Sequence, residues 1–275
     1  MKNLIILISV LAGLYLLICT LAYFFQEKMI FFPQTLARDF KFGVSGDFEE
    51  RFVKMHDGKE LNALLFKAEK PKGVVFYLHG NAGSLEGWGG VAETFTRFNY
   101  DLFIPDYRGY GKSEGNIQNE AQLHRDMQSL YDYVKQEYEE QDIIVLGHSI
   151  GSGMAARLAA KNSPKLLILQ APFYSVPDLK NNTTPLQIIP SFLIKYKLRT
   201  GKYLRDTNAP VAILHGDEDE IIYYGSSLKL QQEFKPGDTL ITMEGFGHNN
   251  FLGTQRYEEE IERVLKRFEN RNSER

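Results

Sequence analysis

The chain reads as an α/β fold with a mainly parallel sheet covered by helices on both faces. Three observations predict it. Short apolar runs rich in Val, Ile and Leu alternate with amphipathic stretches through most of the sequence, as in strand–helix crossover units. An Asp-Gly turn between two alternating segments opens the series and supplies an antiparallel edge. One apolar run, Ile143–Leu146, passes through a glycine-flanked turn straight into an Ala-rich helix.

The chain begins with an uncharged stretch, residues 4–25. Those 22 residues are enough to cross a hydrocarbon core about 30 Å thick. Thr20-Leu21-Ala22 imitates a signal-peptidase site, but the apolar run continues through it to Tyr23-Phe24-Phe25. An uncleaved single-pass anchor over residues 1–28 is therefore expected, with those aromatics near the interface. Lys2 precedes the span; Lys28 and Arg38 follow it, with Glu27 between, so charge hardly sets orientation. Short N-terminal spans usually direct export, which points to a domain outside the cytoplasm. Cys19, the one cysteine, excludes an internal disulfide and is expected to face lipid or a partner helix. Residues 29–49 read as a juxtamembrane linker whose apolar start, Met29-Ile30-Phe31-Phe32-Pro33, docks on the domain.

The domain spans residues 50–270, followed by a polar tail at 271–275. Residues 51–55 and 61–66 form the hairpin around Asp57-Gly58, with His56 an ordinary turn residue. Strands are expected at 73–78, 100–104, 143–146, 166–169, 211–214 and 239–243. Helices are expected at 85–98 and at 119–139, where Leu123, Met127, Leu130, Tyr131 and Val134 share one face and His124 packs or lies on the surface. A last helix covers 257–268, with Ile261, Val264, Leu265 and Phe268 on one side. Residues 172–206 break the alternation with four prolines, a polar Asn-Asn-Thr-Thr patch and a cluster of apolar residues. So long a connection is unusual as plain loop, so it is read as a small cap over the site.

Gly147-His148-Ser149-Ile150-Gly151 fits Gly-x-Ser-x-Gly between a strand and a helix, where the serine occupies a sharp turn with its hydroxyl exposed. An incidental serine in a glycine-rich turn is the alternative; the flanking elements favour a nucleophile. No Lys-Ser/Thr pair follows the glycines, which disfavours a phosphate loop. A serine hydroxyl needs a base, and the base needs an orienting acid. His248 follows the last strand in a Gly-rich loop and alone fits the order Ser, acid, His. His79 and His148 are expected to support their own turns, and His215 to fix the turn after its strand. Among Asp217, Glu218, Asp219 and Glu220, Asp219 is preferred, four residues after His215 and anchored by Ile221-Ile222. Asp217 reads as closing the turn. The N–H groups of Ile150 and Asn81 are candidates for stabilising an oxyanion.

In this order, His-Gly-Asn-Ala-Gly-Ser (79–84), Asp-Tyr-Arg-Gly-Tyr-Gly-Lys-Ser-Glu-Gly (106–115), Gly-His-Ser-Ile-Gly (147–151), His-Gly-Asp-Glu-Asp-Glu-Ile-Ile (215–222) and Gly-His-Asn (247–249) resemble the α/β-hydrolase superfamily. The likeness is to its membrane-anchored, serine-aminopeptidase-like branch and covers residues 50–268. It implies an α/β-hydrolase fold with an eight-stranded sheet and a small cap. It implies Ser149 as nucleophile, Asp219 as acid and His248 as base, with Asn81 and Ile150 around the oxyanion. It implies loop scaffolding by Asp106, Arg108 and Gly109.

The expected function is a membrane-anchored serine hydrolase acting on an ester or thioester with a hydrophobic, small-molecule or lipid-like acyl part. A serine peptidase acting on amides and a non-catalytic binding protein of the same fold are the rivals. No metal or organic cofactor is expected. The net charge of −3 gives no case for nucleic acid. Neither substrate-binding residues nor oligomeric state can be read from the chain.

Overall fold

The computed structural model describes residues 1–182 and 186–273. Thr183, Thr184 and Pro185 of the expected cap, and Glu274 and Arg275 of the expected tail, lie outside the described residues. The chain opens with α1, Lys2–Phe24, a helix of mean hydropathy 2.8 over its most apolar window, long and apolar enough to cross a membrane. Its buried residues are Cys19 and Ala22, so Cys19 faces the rest of this chain rather than lipid. A short helix, α2 (Gln26–Ile30), and a two-residue strand, β1 (Phe32–Pro33), follow.

The hairpin forms as β2 (Phe48–Lys54) and β3 (Glu60–Phe66), paired antiparallel. Next come β4 (Val74–Leu78), the short β5 (Ala82–Gly83), α3 (Leu85–Trp88), α4 (Ala92–Thr96) and β6 (Asp101–Pro105). Then α5 (Glu120–Val134), β7 (Ile143–His148), α6 (Gly151–Lys161) and β8 (Leu166–Gln170) continue the alternation. The 172–206 connection carries α7 (Val176–Asn182), two 3₁₀ turns (Leu186–Ile188 and Ser191–Leu193) and α8 (Thr200–Asp206). The chain ends with β9 (Val211–Gly216), α9 (Gly225–Gln231), β10 (Thr239–Met243) and α10 (Gln255–Ser273).

The main sheet has eight strands in the order β10-β9-β8-β7-β4-β6-β3-β2. It is parallel from β10 through β6, and β3 and β2 add the antiparallel edge. The central strands β4 and β7 are buried along their whole length, which is why they read as unbroken apolar runs. One core layer packs Leu123, Met127, Met154 and Ala155 from α5 and α6 against the sheet; the other packs Phe95, Tyr257, Ile261 and Leu265 from α4 and α10.

Three helices differ from expectation. The one expected at 119–139 already ends at Val134. The 85–98 helix divides into α3, a 3₁₀ turn at Gly89–Val91 and α4. Gly87, Gly89 and Gly90 lower helix propensity there, and a Cβ on Gly89 would lie 2.7 Å from a Val44 methyl. At the C-terminus, α10 continues past Phe268 to Ser273.

Candidate active site

The turn between β7 and α6 presents Ser149. Its φ is +52°, in the left-handed region that a non-glycine residue occupies at a cost. The neighbours explain why the backbone accepts it. A Cβ on Gly147 would fall 2.6 Å from the Ala155 Cβ, and one on Gly151 would fall 2.1 Å from the Leu78 carbonyl oxygen. Only glycines let α6 sit this close to β4 and β7. The Ser149 N–H donates to Gln170 O at 2.9 Å, tying the turn to the end of β8.

Three loops at the carboxyl ends of the strands bring distant side chains to this turn. Ser149 Oγ lies 2.9 Å from His248 Nε2, and His248 Nδ1 lies 2.7 Å from Asp219 Oδ2. With His248 accepting from the hydroxyl, its Nδ1–H donates to the carboxylate. Asp219 accepts three further N–H bonds. Its Oδ2 takes His215 Nε2–H at 3.0 Å, and its Oδ1 takes the Ile221 and Ile222 N–H groups, both at 2.8 Å. Burial alone would raise this carboxyl, but the bonds from His215 and His248 hold it well below the ordinary carboxylate range. His215 is itself fixed: Nε2–H also faces Ile222 O at 3.0 Å, and Nδ1 meets the Ser227 hydroxyl at 2.6 Å.

Asn81 and Ile150 flank the serine and line the same cavity. Neither main-chain N–H donates to a partner among the described residues. The rest of Asn81 is engaged: its carbonyl accepts from Phe32 N–H and the Tyr110 hydroxyl, and its side-chain NH₂ donates to Ile30 O at 2.9 Å. His148 is buried, pinned by Asn249 Oδ1 at 2.9 Å and packed on Trp88 and His248. Burial, reinforced by the neighbouring His248, lowers its pKa to about 3 and keeps it neutral.

The cavity over Ser149 measures about 380 Å³, within the range of small-molecule sites. Phe173, Val176 and Leu179 from the 172–206 connection wall one side, and Met29 and Ile30 wall another.

The family model described as serine aminopeptidase, S33, matches residues 69–201, a span that holds Asn81 and Ser149 and ends before Asp219 and His248. The protein bem46 of Schizosaccharomyces pombe is 31% identical over 186 residues, covering 64% of this chain and 62% of that protein. The lysophosphatidylserine lipase ABHD12 of Danio rerio is 27% identical over 185 residues, covering 60% of this chain and 47% of that protein. The chain thus matches between about half and two thirds of these relatives' length. The solved structure of Pyrococcus furiosus esterase Pf2001 superposes with a TM-score of 0.69 at 15% identity, over 87% of this chain and 97% of that one. The chain has the α/β-hydrolase fold and is similar in sequence to members of that superfamily.

Within this fold, Asp106 and Arg108 stand away from the cavity, and both brace loops. Asp106 accepts from Leu85 N–H at 3.3 Å, and its Oδ1 lies 3.4 Å from His79 Nε2. Gly111 must be glycine there, because a Cβ would fall 1.9 Å from Asp106 Oδ2. Arg108 forks between Asp126 and Asp57, joining α5 to the hairpin turn. His79 stacks between Trp88 and Tyr107 and stays outside the Ser149–His248–Asp219 chain of bonds.

Two features were not anticipated as parts of the site. His215 bonds the same carboxylate oxygen as His248; its spacing of four from Asp219 was a usable signal. Met29 and Ile30 line the cavity because the juxtamembrane segment is stitched to the Asn81 loop by pairing of β1 with β5 and by Gln34 N–H to Gly83 O at 2.9 Å. No local pattern in residues 29–34 announces that pairing.

Proposed function

We propose that this hydrolase-fold protein is a membrane-tethered serine hydrolase that cleaves a carboxylic ester or thioester through an acyl-serine intermediate. The observation that carries the reading is the chain of bonds Ser149 Oγ–His248 Nε2 (2.9 Å) and His248 Nδ1–Asp219 Oδ2 (2.7 Å). His248 takes the Ser149 proton as Oγ adds to the acyl carbon. Asp219, ionised by its four N–H donors, holds the imidazole in the accepting tautomer and stabilises the imidazolium. The free N–H groups of Asn81 and Ile150 receive the negative oxygen of the tetrahedral intermediate. His248 then gives its proton to the departing alkoxide or thiolate. Water, deprotonated by the same imidazole, releases the carboxylic acid and restores Ser149.

Ester or thioester is favoured over an amino-terminal amide by the cavity wall. Among the described residues its one Lys, Arg, Asp or Glu is Lys180, and no carboxylate is present to receive a substrate's α-ammonium. The remaining wall is largely apolar, which suits a hydrophobic acyl group. The names lysophosphatidylserine lipase and esterase, carried by a relative and a structural neighbour, agree with ester chemistry. The apolar helix α1 supplies the tether, and the domain is inferred to face away from the cytoplasm. A panel of acyl esters, acyl thioesters and aminoacyl amides tests the chemistry, with Ser149→Ala as control. Serine-dependent turnover of esters or thioesters is expected, and preference for aminoacyl amides would replace this reading with a peptidase. A C-terminal reporter tests the side; activity only in the cytoplasm would reverse it.

A further inference from the structure

A second cavity, of about 160 Å³, adjoins the one over Ser149, and Met29, Ile30, Val176 and Lys180 line both. Its far walls are Ala22 near the end of α1 and Ile189 and Ile194 of the cap. Those walls are held together. Tyr15, Cys19, Ala22 and Gln26 recur at the spacing of one helical face. Tyr15 donates its hydroxyl proton to Ile188 O at 3.0 Å; Gln26 donates to Leu193 O and accepts from Lys195 N–H, both at 2.8 Å. Glu27 accepts from the Tyr196 hydroxyl at 3.0 Å. Lys180 Nζ donates to Ile189 O at 2.9 Å, so its charge is turned onto the cap backbone while its carbon stem borders the cavities. Ile188 and Phe192, 55% and 80% exposed, carry apolar surface on the 3₁₀ turns beside the anchor.

From this arrangement we propose that the second cavity is the acyl-chain subsite of the Ser149 centre, entered from the bilayer, and that the anchor is one of its walls. The proposal rests on the hydrolase reading above. Its ligand is the outer part of one fatty acyl chain, whose carbonyl sits at Ser149 and whose tail passes between Ile30 and Val176 toward Ala22. A dry cavity near 150 Å³ accommodates a benzene-sized group, so this slot takes on the order of six carbons. Each methylene that enters it should raise kcat/KM roughly fourfold, until the slot is full.

The test is the chain-length profile of p-nitrophenyl esters from two to twelve carbons, with full-length protein in one detergent or nanodisc. Ala22→Trp fills the slot far from Ser149, and Ile194→Ala widens it. The expected result is a rising wild-type profile. Ala22→Trp should leave the shortest esters unchanged and flatten the rise for the longest by at least tenfold; Ile194→Ala should move the optimum to longer chains. Profiles of both variants that parallel the wild type, whether at full or reduced rate, would overturn the subsite. If Ala22→Trp lowers every ester alike, the Ile194→Ala optimum decides. Wild type no faster than Ser149→Ala on the shortest ester would instead sink the hydrolase reading itself.

Discussion

Replacing Ser149 by glycine should leave the protein more stable than replacing it by alanine, with activity abolished in both. Ser149 sits at φ +52°, where a Cβ-bearing residue loses about 1–2 kcal/mol to contact with its own carbonyl. Glycine escapes that cost but gains about 0.5–1 kcal/mol of unfolded-chain entropy to lose on folding. The comparison that isolates the backbone is Ser149→Gly against Ser149→Ala, because both lack the hydroxyl and its bond to His248. The difference should be about 0.5–1 kcal/mol in favour of glycine. For a domain of this size that is an increase in Tm of about 1–4 °C. Thermal melts of the two detergent-solubilised variants measure it, each checked for loss of ester turnover. A Ser149→Gly variant that melts at or below Ser149→Ala would refute the claim that this turn is strained.

His215→Phe removes one of four donors to Asp219 and leaves Ile222 O and Ser227 Oγ facing carbon. A bond to a charged group is worth about 1.5–3 kcal/mol, so kcat should fall roughly 10- to 100-fold with KM little changed. His215→Gln, which keeps an N–H donor, should recover part of it; equal losses in the two variants would mean that packing rather than the bond matters. Asn81→Ala forfeits the bond to Ile30 O but keeps the main-chain N–H, so turnover should stay within a few-fold of wild type. Asn81→Pro removes that N–H and should cost roughly 10²–10³ in kcat; equally severe losses would assign the role to the side chain. His148 stays neutral in the fold down to about pH 3, whereas an unfolded histidine takes a proton near pH 6.5. Stability should therefore fall as pH drops through that window, by up to about 1.4 kcal/mol per pH unit from this residue. Denaturant titrations of wild type and His148→Gln check it, and identical pH slopes would contradict it.

The strand–helix rhythm was legible because β4, β7, β8 and β9 are buried end to end and cannot carry polar side chains without losing hydrogen bonds to water. The Ser149 turn was legible because close helix packing demands glycine at 147 and 151. The grouping of Ser149, Asp219 and His248 was anticipated because each follows a strand of the same parallel sheet, and such strands end at one rim. The break at Gly89 was missed because helical periodicity reports the apolar face and not the Val44 contact that requires a glycine. The second bond to Asp219 and the Met29–Ile30 wall were missed for a related reason. Both depend on where a side chain lands after folding, which neither period nor propensity encodes. Cys19, expected to face lipid, instead lies buried on the face of α1 that meets the cap, through bonds between residues more than 160 positions apart.

Fluorophosphonate labelling of the full-length protein, followed by peptide mapping, tests the central claim most directly. Covalent modification at Ser149 is expected, abolished by Ser149→Ala and strongly slowed by His248→Ala. Folded wild-type protein that takes no label, or takes it on another residue, would contradict the account and leave a hydrolase fold used for binding.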